Sequence, residues 1–551
     1  MVRLPRIFLA LGVLLFLAMA LPTGPGWAQE GPGQEQNTEQ AQQPPPGQAA
    51  GNPVQDIIRS KLKGATPEQP IRVGDSSIPY SGVLAEFYAN RQYQPAWTNP
   101  KGIDDLLLAI GGSKADGLFP EDYHLKPIET LRKQAQGQTP PSPELTADID
   151  LLMTDALFRL SHHLLYGKVN PQSLSPDFSL SRTSLDVNLP KAGQEAIDAA
   201  QITALLETLR PKNPYYLALK QALADYRAVA AQGGWPSLPR RPYLKKGKKD
   251  RRLPALRKRL ALEGDLEAGL AVNPSLVYDE PTVQAVRLFQ SRHSLKPNGE
   301  VDAATLEALN LPVEQRIDQI RVNLERARWV LRNPPGKTQV VVNIAAFTLD
   351  YADAAGGRWE TRVVVGEPYK KTPVIESKID KLIFNPTWTV PQSIAESEFL
   401  PKMDKNPGYL QAHHFRLVSR DPLEIVQEPG PKNALGRVKF IFPNPYDVYL
   451  HDTPNRELFG KTTRTFSHGC IRVQNALHLA VLLLNGPEWN LEKINRVLAS
   501  RKRLSVDLKE PVPIAVVYRT VQLIPEGGLG FLPKDIYQLD FAVLSALQQR
   551  P

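Results

Sequence analysis

The sequence predicts a multidomain α+β protein, with helices in its first part and mostly β-strands in its last part. Two observations indicate this order. Apolar residues recur at intervals of three and four before Arg332, and at intervals of about two from Lys337 onward. Stretches rich in proline, glycine or basic residues separate these regions.

The N-terminal region has the composition of an export signal followed by a linker. Residues 1–28 contain two arginines, the apolar run Ile7–Leu21 and small residues up to Ala28. The run is shorter than the roughly 20 residues that span a bilayer, so we predict a signal peptide cleaved after Ala28. An uncleaved anchor is the alternative. Residues 29–54 are mostly Gln, Pro, Gly and Glu, which predicts a disordered linker.

Residues 55–253 are predicted to form a helical scaffold domain. The stretch Ile149–Val169 repeats apolar residues at helical spacing, and Leu84–Trp97 carries an aromatic stripe. Both patterns are more typical of core faces than of binding sites. His162 and His163 lie in the first stretch, and we assign them no chemistry.

The formal net charge of +9 is concentrated in Arg240–Arg259, which holds eleven Lys or Arg and one Asp. Such a run predicts a solvated loop that leads into a helix face. The alternative is a peripheral contact with an anionic envelope polymer or lipid surface. Export argues against nucleic acid as a partner.

Residues 254–312 are predicted to form a small helical module. Two short amphipathic helices in Pro281–Pro312 flank a polar turn at Lys296–Glu300, and Asp302 is a plausible cap for the second helix. A strongly charged connecting helix follows in residues 313–336.

Residues 337–551 are predicted to form a mostly-β domain, because β-rich runs alternate there with proline and glycine. The stretch 393–424 lacks strand character at its start and is predicted to be an inserted helical flap. A flap near a catalytic residue is a candidate lid.

Cys470 is the one cysteine of the chain, and an exported protein normally pairs its cysteines. The simplest interpretation is a small buried apolar residue. Its neighbours indicate chemistry instead. His468 and Arg472 lie two residues on either side and would share its face if the segment is extended. A strand that ends at His451 could reach the sulfur across the intervening loop.

These residue types favour an acyl-transfer site, with Cys470 as the nucleophile and one of the two histidines as the base. A base is needed because a free thiol has a pKa near 8.5 and is mostly protonated at neutral pH. The backbone N–H groups of Gly469 and Cys470 are the candidate oxyanion donors. A metal site made of His451, His468 and Cys470 is the alternative, but a fourth ligand is not evident. We therefore predict no metal and no cofactor.

The segments HDTP and SHGCIRVQN resemble the signature of the L,D-transpeptidase catalytic domain. The segments VVVGEPYKKTP, TPVIES, NPTWTVP and FYANRQYQPAW are similar to those of the large multidomain Gram-negative members of that family. In residues 254–312, AVRLFQ, GEV and TLEALN resemble the type 1 peptidoglycan-binding module. Together these segments cover most of the chain beyond the linker.

The resemblance implies formation of 3→3 cross-links in peptidoglycan. The thiolate would attack the carbonyl at the L-centre of the third residue of a tetrapeptide stem and expel the terminal D-alanine. The thioester would then pass its acyl group to the side-chain amine of a diamino acid on a neighbouring stem. The resemblance also implies a wall-associated periplasmic protein, acylation by carbapenems, and a role in cell-wall organisation and cell shape. Stem peptides are the implied partners, and other wall-synthesis enzymes are further candidates.

The resemblance also implies roles for individual residues. His451 matches the general base, with its ring held by a backbone carbonyl near Asp452. Tyr449 matches a residue of the oxyanion site. The remaining implied site residues are His468, Gly469 and Arg472, which shape the pocket, Asn475, which braces the loop and contacts substrate, and Trp388, an aromatic wall of the cleft or plain core.

Two other functions stay open at this point. One is a non-catalytic wall-binding protein, which would depend on the peptidoglycan-binding-like module alone. The other is a carboxypeptidase or endopeptidase that gives the acyl group of the same cysteine to water. Transfer and hydrolysis differ in whether a flap excludes water and an amine can enter, which the sequence does not decide.

Overall fold

The structure is a computed structural model that describes residues 52–66, 68–79, 82–176, 178–179, 187–240, 243–330, 337–524 and 528–550. The predicted signal peptide and residues 29–51 of the predicted linker lie outside these ranges. Within them, no helix combines the length and the apolar character that crossing a membrane requires.

The first region of the described chain is helical, as predicted. Its elements are α1 (Pro53–Lys63), β1 (Ile71–Val73), β2 (Ser76–Ile78), α2 (Gly82–Asn90), α3 (Pro100–Gly112), α4 (Leu125–Gln136), α5 (Pro143–Tyr166), α6 (Pro171–Leu174), β3 (Phe178–Ser179), α7 (Leu189–Asp198), α8 (Ile202–Leu209) and α9 (Pro214–Ala231), with short 3-10 turns at Ser113–Asp116 and Pro120–Tyr123. Several helices begin with an Asn or Ser cap followed directly by proline, which fits the first helical position. Asn52 caps α1 in this way, so Pro53 and Val54 form a helical turn rather than the end of the predicted linker.

Helix α5 is the centre of the scaffold, where it packs against α1, α2, α3, α4, α7 and α8. The aromatic stripe of Leu84–Trp97 is part of this core, as the sequence indicated. The buried Asp150 carboxylate accepts hydrogen bonds from the Tyr88 hydroxyl at 2.6 Å and from the backbone N–H of Trp97 at 2.9 Å. A buried carboxylate needs such donors to remain in the core.

The small module contains α10 (Leu253–Leu262), α11 (Ala268–Ala271), α12 (Glu280–Arg292) and α13 (Ala303–Leu309). Asp302 caps α13 by accepting a hydrogen bond from the backbone N–H of Thr305 at 2.8 Å, as predicted.

The prediction that the whole basic run Arg240–Arg259 is solvated is wrong for its last part. Arg252, Arg257 and Arg259 are buried inside the module. Arg257 donates to three backbone carbonyls and to Asp279, whereas Arg259 pairs with Glu263 at 2.7 Å and lies 3.6 Å from the ring centre of Trp235. These partners explain the burial, because a guanidinium can be buried when it forms hydrogen bonds, an ion pair or a cation–π contact in the core.

The charged connecting helix is α14 (Val313–Trp329), and it is largely buried. Its charged side chains find partners on several sides. Arg321 donates to the carbonyl of Gly117 in the scaffold at 3.1 Å, and Arg328 pairs with Glu325 at 2.8 Å. Asn323 donates to Thr520 in the C-terminal region at 2.8 Å. The charged and polar side chains of α14 therefore connect the scaffold with the C-terminal domain.

The C-terminal domain is mostly β, as predicted. Its strands are β4 (Gln339–Asn343), β5 (Thr348–Ala352), β6 (Arg358–Gly366), β7 (Val374–Phe384), β8 (Trp388–Thr389), β9 (Phe415–Arg420), β10 (Leu423–Gln427), β11 (Val438–Ile441), β12 (Leu450–His451), β13 (Thr465–Ser467), β14 (Ile471–Val473), β15 (Leu504–Val517), β16 (Val521–Leu523) and β17 (Leu529–Phe531). Its helices are α15 (Gln392–Ile394), α16 (Leu400–Lys405), α17 (Tyr409–Ala412), α18 (Ala476–Leu484), α19 (Leu491–Ala499) and α20 (Leu539–Gln548), with a π-helical turn at Ala395–Phe399 and a 3-10 turn at Arg456–Gly460.

The main sheet has the strand order β11-β12-β14-β6-β5-β4-β15-β7, and β7 pairs in turn with β11. The pairing therefore closes into a ring, which leaves these strands without a free edge. Strand β3 pairs with β7 from outside the ring and joins the scaffold to it. A core of Val, Ile, Leu and Phe side chains from the ring strands and α18 fills this domain.

The inserted flap begins with helices, as predicted, but it ends in strands. Strands β9 and β10 form an antiparallel hairpin, and β8 adds to β10, so the flap has a three-stranded sheet of its own. Half-buried and exposed side chains alternate in Phe415–Arg420, and Asp421-Pro422 makes the turn. Leu410, Phe399 and Ile425 form its small core.

Candidate active site

Cys470 lies in a cleft between the closed ring and the flap, immediately before β14. Strand β14 runs parallel to β12, with Ile471 opposite Leu450 and Arg472 opposite His451. The backbone N–H of Ile471 donates to the carbonyl of Tyr449 at 3.1 Å. This register brings Tyr449 and Cys470 side by side. The sequence analysis gave Tyr449 a place near the nucleophile only as an implication of the family resemblance.

The segment from His468 to Cys470 is not extended, so the condition under which His468, Cys470 and Arg472 would share one strand face is not met, although all three line the cleft. Strand β13 ends at Ser467, and Gly469 has a φ of 112° in the left-handed region, which an L side chain rarely adopts. The Ser467 hydroxyl accepts from the N–H of Gly469 at 3.2 Å and donates to the carbonyl of Cys470. Ser467 therefore holds a tight turn before the cysteine.

This turn also changes the expected oxyanion donors. The Gly469 N–H bonds to Ser467, and the Gly469 carbonyl accepts from the Thr372 hydroxyl at 2.8 Å. Gly469 thus serves the conformation of the turn. The backbone N–H of Cys470 remains the candidate oxyanion donor next to the sulfur.

His451 is buried, and its Nδ1 lies 2.5 Å from the backbone carbonyl of Asp452. Because a carbonyl can only accept, the proton of the neutral ring sits on Nδ1 and the lone pair on Nε2. Burial, with a further contribution from the positive charge of Arg472, lowers the pKa of His451 to about 3. His451 is therefore neutral at physiological pH. In the described ranges no hydrogen bond joins its ring to Cys470.

The thiol of Cys470 is half-buried, and its sulfur lies 3.9 Å from the carbonyl oxygen of Asp447. Burial raises the pKa of the Cys470 thiol, whereas Tyr449, Lys439 and Arg472 lower it. Burial and the nearby thiolate raise the pKa of the Tyr449 phenol, so its hydroxyl stays protonated and can donate. The site thus presents a thiol, a phenolic donor and two cations together.

Of the two remaining predicted site residues, Trp388 lines the cleft and Asn475 does not. Trp388 lines the cleft and also packs against the flap, with its ring 6.0 Å from that of Phe415 and 6.3 Å from that of Phe399. Trp388 is therefore both a wall of the cleft and a part of the flap core. Asn475 is exposed, has a φ of 56° and precedes α18. The structure does not bring Asn475 to the cleft.

His451, His468 and Cys470 do not form a metal site. In the part of the chain that the structure describes, no group of three or more His, Cys, Asp or Glu side chains could hold a metal ion.

Comparison with known proteins agrees with this geometry. Residues 337–496 match the model of the L,D-transpeptidase catalytic domain, residues 82–223 match that of a scaffold domain, and residues 251–309 match that of a "Putative peptidoglycan binding domain". A curated protein of Haemophilus influenzae named "Putative L,D-transpeptidase" is 34% identical over 490 residues, which cover 85% of this chain and 80% of the relative. The chain belongs to the L,D-transpeptidase family.

Solved structures of L,D-transpeptidases from Stackebrandtia nassauensis and Xylanimonas cellulosilytica are each 14% identical to this chain. Each covers 50% of it, with TM-scores of 0.20 and 0.16, and the matches span 94% and 98% of those chains.

In this L,D-transpeptidase the structure reveals two site residues that the sequence analysis missed, Lys439 and Glu398, and it shows the ion-pair partners of Asp452. Lys439, on β11, lines the cleft with its Nζ 3.5 Å from the ring centre of Tyr449. Glu398, in the π-helical turn of the flap, lies 2.8 Å from Nε2 of His468. The carboxylate of Asp452 is clamped by Arg437 and Arg456. Lys439, Glu398 and Arg437 each reach the site through pairing between distant segments, and no local motif marks them, whereas Arg456 lies four residues from Asp452.

Proposed function

We propose that this chain forms 3→3 cross-links in peptidoglycan through a thioester on Cys470. The observation that carries the proposal is the place of Cys470: it lies in a cleft under the flap, beside the Tyr449 hydroxyl and next to the strand that holds the neutral His451. A nucleophile, a base and oxyanion donors are the parts that acyl transfer needs. The family of the chain supports the same reaction class.

In the first step the Cys470 sulfur attacks the carbonyl carbon at the L-centre of the third residue of a tetrapeptide stem. The carbonyl oxygen becomes an oxyanion that the Cys470 N–H and the Tyr449 hydroxyl stabilise. The bond to the terminal D-alanine then breaks, and the amine leaves with the proton that His451 took from the thiol. The product is a thioester between Cys470 and the shortened stem.

In the second step the side-chain amine of a diamino acid on a neighbouring stem attacks the thioester. His451 accepts the proton of that amine, the new amide bond forms, and the thiol of Cys470 is released with its proton. The flap, which covers the cleft beside Trp388, is proposed to exclude water from the thioester, because water would give a hydrolysed tripeptide instead.

Incubation with purified tetrapeptide wall fragments, followed by mass analysis, tests the proposal. We expect a cross-linked dimer and free D-alanine. Cys470→Ala should give no product while the melting temperature is unchanged, and Cys470→Ser should also fail, because a hydroxyl ionises far less readily than a thiol. Tripeptide without dimer would show a carboxypeptidase, and a dimer from Cys470→Ala would exclude the thioester route.

We also propose that residues 1–28 direct export, that the mature enzyme acts in the periplasm, and that carbapenems acylate Cys470. The basic and apolar composition of the first residues supports export.

The small module is proposed to bind the wall. The exposed lysines of Arg240–Arg259 are proposed to add contact with an anionic envelope surface, although Lys246 already pairs with Glu280 at 2.5 Å. Retention on isolated walls that does not depend on salt would contradict this contact.

A further inference from the structure

A row of basic side chains crosses the floor of the cleft beside Cys470. Lys439 on β11 is the cross-strand partner of His451 on β12, and His451 is the partner of Arg472 on β14. Cross-strand partners project from the same face of a sheet, so these three side chains lie next to one another. All three line the cleft.

The two cations of this row have no anionic partner in the described chain. Neither the Lys439 ammonium nor the Arg472 guanidinium forms an ion pair or a hydrogen bond there, and Lys439 rests on the ring of Tyr449. Asp447 lies near Lys439, and Glu367 and Glu457 lie near Arg472, but none is in ion-pair contact. Burial lowers the pKa of both basic groups. Partly buried cations without partners are costly, so an anion that enters the cleft would bind them favourably.

Both cations are close to the reacting atom. Arg472 follows Cys470 by two residues, Lys439 rests on the ring of Tyr449 beside Cys470, and all of them line the same cleft. In agreement with this geometry, both cations lower the pKa of the Cys470 thiol. An anion bound between them would therefore lie in the same cleft as the carbonyl that the sulfur attacks. A donor stem has such an anion in the free carboxylate of its terminal residue, because that residue follows the scissile bond directly.

We propose that Lys439 and Arg472 form a carboxylate-binding subsite that holds the terminal residue of the donor stem during acylation. This inference rests on the proposed function and adds to it the residues that select the donor. A stem that continues past this residue would place a neutral amide against two cations and would bind less well. The subsite therefore favours tetrapeptide donors over longer ones.

The subsite can be tested without wall fragments, because Cys470 is the one thiol of the chain and small reagents alkylate it. Iodoacetate carries a carboxylate, whereas iodoacetamide is its neutral analogue. The measurement is the rate of each alkylation by mass spectrometry, divided by the rate with free cysteine. We expect the corrected iodoacetate-to-iodoacetamide ratio to exceed one in the unaltered chain and to fall roughly fivefold in Lys439→Met, since a charged partner is lost.

Two variants control the measurement. Lys439→Arg keeps a cation at the subsite and should retain most of the ratio. Lys493→Met removes a lysine that also lies over an aromatic ring, at 4.2 Å from the centre of Trp489, but outside the cleft, so it should leave the ratio unchanged.

Three results would overturn the subsite. A ratio of one in the unaltered chain means that the cleft does not attract the carboxylate. Equal slowing of both reagents in Lys439→Met means that Lys439 supports the thiolate alone. Unchanged rates of both reagents in Lys439→Met mean that it does neither.

A second measurement separates the subsite from the proposed function. Donor tetrapeptides that end in a carboxylate or in a carboxamide are compared in the cross-linking assay. The unaltered chain should prefer the acid, and Lys439→Met should lose that preference mainly through a higher KM. If neither donor is cross-linked but the alkylation ratio changes as expected, the proposed function fails and the subsite stands. Equal use of both donors by the unaltered chain contradicts the subsite.

Discussion

The Glu398 carboxylate lies 2.8 Å from Nε2 of His468, and this contact joins the flap to the turn that presents Cys470. Glu398 belongs to a π-helical turn, a distortion that occurs often at functional sites. His468 is two residues from the nucleophile. The position of the flap and the conformation of the turn are therefore coupled through one pair of side chains.

Glu398→Gln should loosen the flap and raise hydrolysis relative to transfer. The side chains are 39% and 33% exposed, and pairs at such exposure contribute about 0.2–1 kcal/mol, so we expect the dimer-to-tripeptide ratio to fall by no more than about fivefold. The assay is mass analysis of tetrapeptide reactions. Glu396→Gln is the matched control, because Glu396 lies in the same turn but contacts Gln392. The same ratio in both variants would mean that the pair does not hold the flap.

The two histidines should contribute unequally to acylation. His451→Ala should slow acylation of Cys470 by a carbapenem by roughly 10²–10⁴-fold, the range usual for a positioned base. His468→Ala should slow it less, because His468 contacts Glu398 and acts on the flap. The measurement is the acylation rate of each variant across pH. If His468→Ala is the slower variant and recovers at high pH while His451→Ala reacts normally, then His468 is the base.

Much of this architecture was predictable because the signals are local. The change from helical to strand periodicity gave the order of the regions, and Asp302 is a cap that its own neighbours define. The segments around His451 and Cys470 were informative for the same reason, since each is short and contiguous. Local patterns set the elements and identified the candidate nucleophile.

The remaining features depend on contacts between distant segments. Arg259 is one of many basic residues until Glu263 and Trp235 pack around it. Lys439 enters the site only through the register of β11 with β12. The bend at Gly469 replaced the expected extended segment because Ser467 and Thr372 bond to the turn. The flap hairpin has a weak sequence signal, because Val418 interrupts the alternation of apolar and polar residues in Phe415–Arg420.

Asp452 should stabilise the loop that holds His451. Its buried carboxylate accepts from Arg437 Nε at 3.1 Å and from Arg456, and a Cβ on Gly436 would come within 2.6 Å of it. Asp452→Ala should lower the free energy of unfolding by about 1–3 kcal/mol, because two charged donors lose their acceptor. Asp507→Ala is the control, since its pair with Lys381 is exposed and should change stability by less than about 1 kcal/mol.

Urea unfolding measures both variants. Asp452→Ala should also slow carbapenem acylation, because the backbone carbonyl of Asp452 holds the His451 ring. Equal stability of the two variants would show that the clamp contributes nothing to the loop.

The protonation of Cys470 gives a further prediction. Burial raises the pKa of its thiol, so the native chain holds the thiol proton more tightly than the unfolded chain, whose thiol should titrate near 8.5. The stabilisation linked to this proton is present below about pH 8.5 and is lost as pH rises through the native pKa. The rate of alkylation by iodoacetamide should accordingly rise with pH, and the midpoint of this rise should lie at a higher pH in the native chain than in the chain unfolded in urea.

His451 should not change that midpoint. Because its pKa is lowered to about 3, the ring is neutral throughout the alkaline titration and provides no positive charge to stabilise the thiolate. His451→Ala should therefore leave the alkylation midpoint where it is, even though it slows carbapenem acylation. Lys439→Met and Arg472→Met should each move the midpoint upward, since both cations favour the thiolate. A native midpoint below that of the unfolded chain, which falls back to the unfolded value in His451→Ala, would instead reveal a thiolate–imidazolium pair and contradict the neutral base.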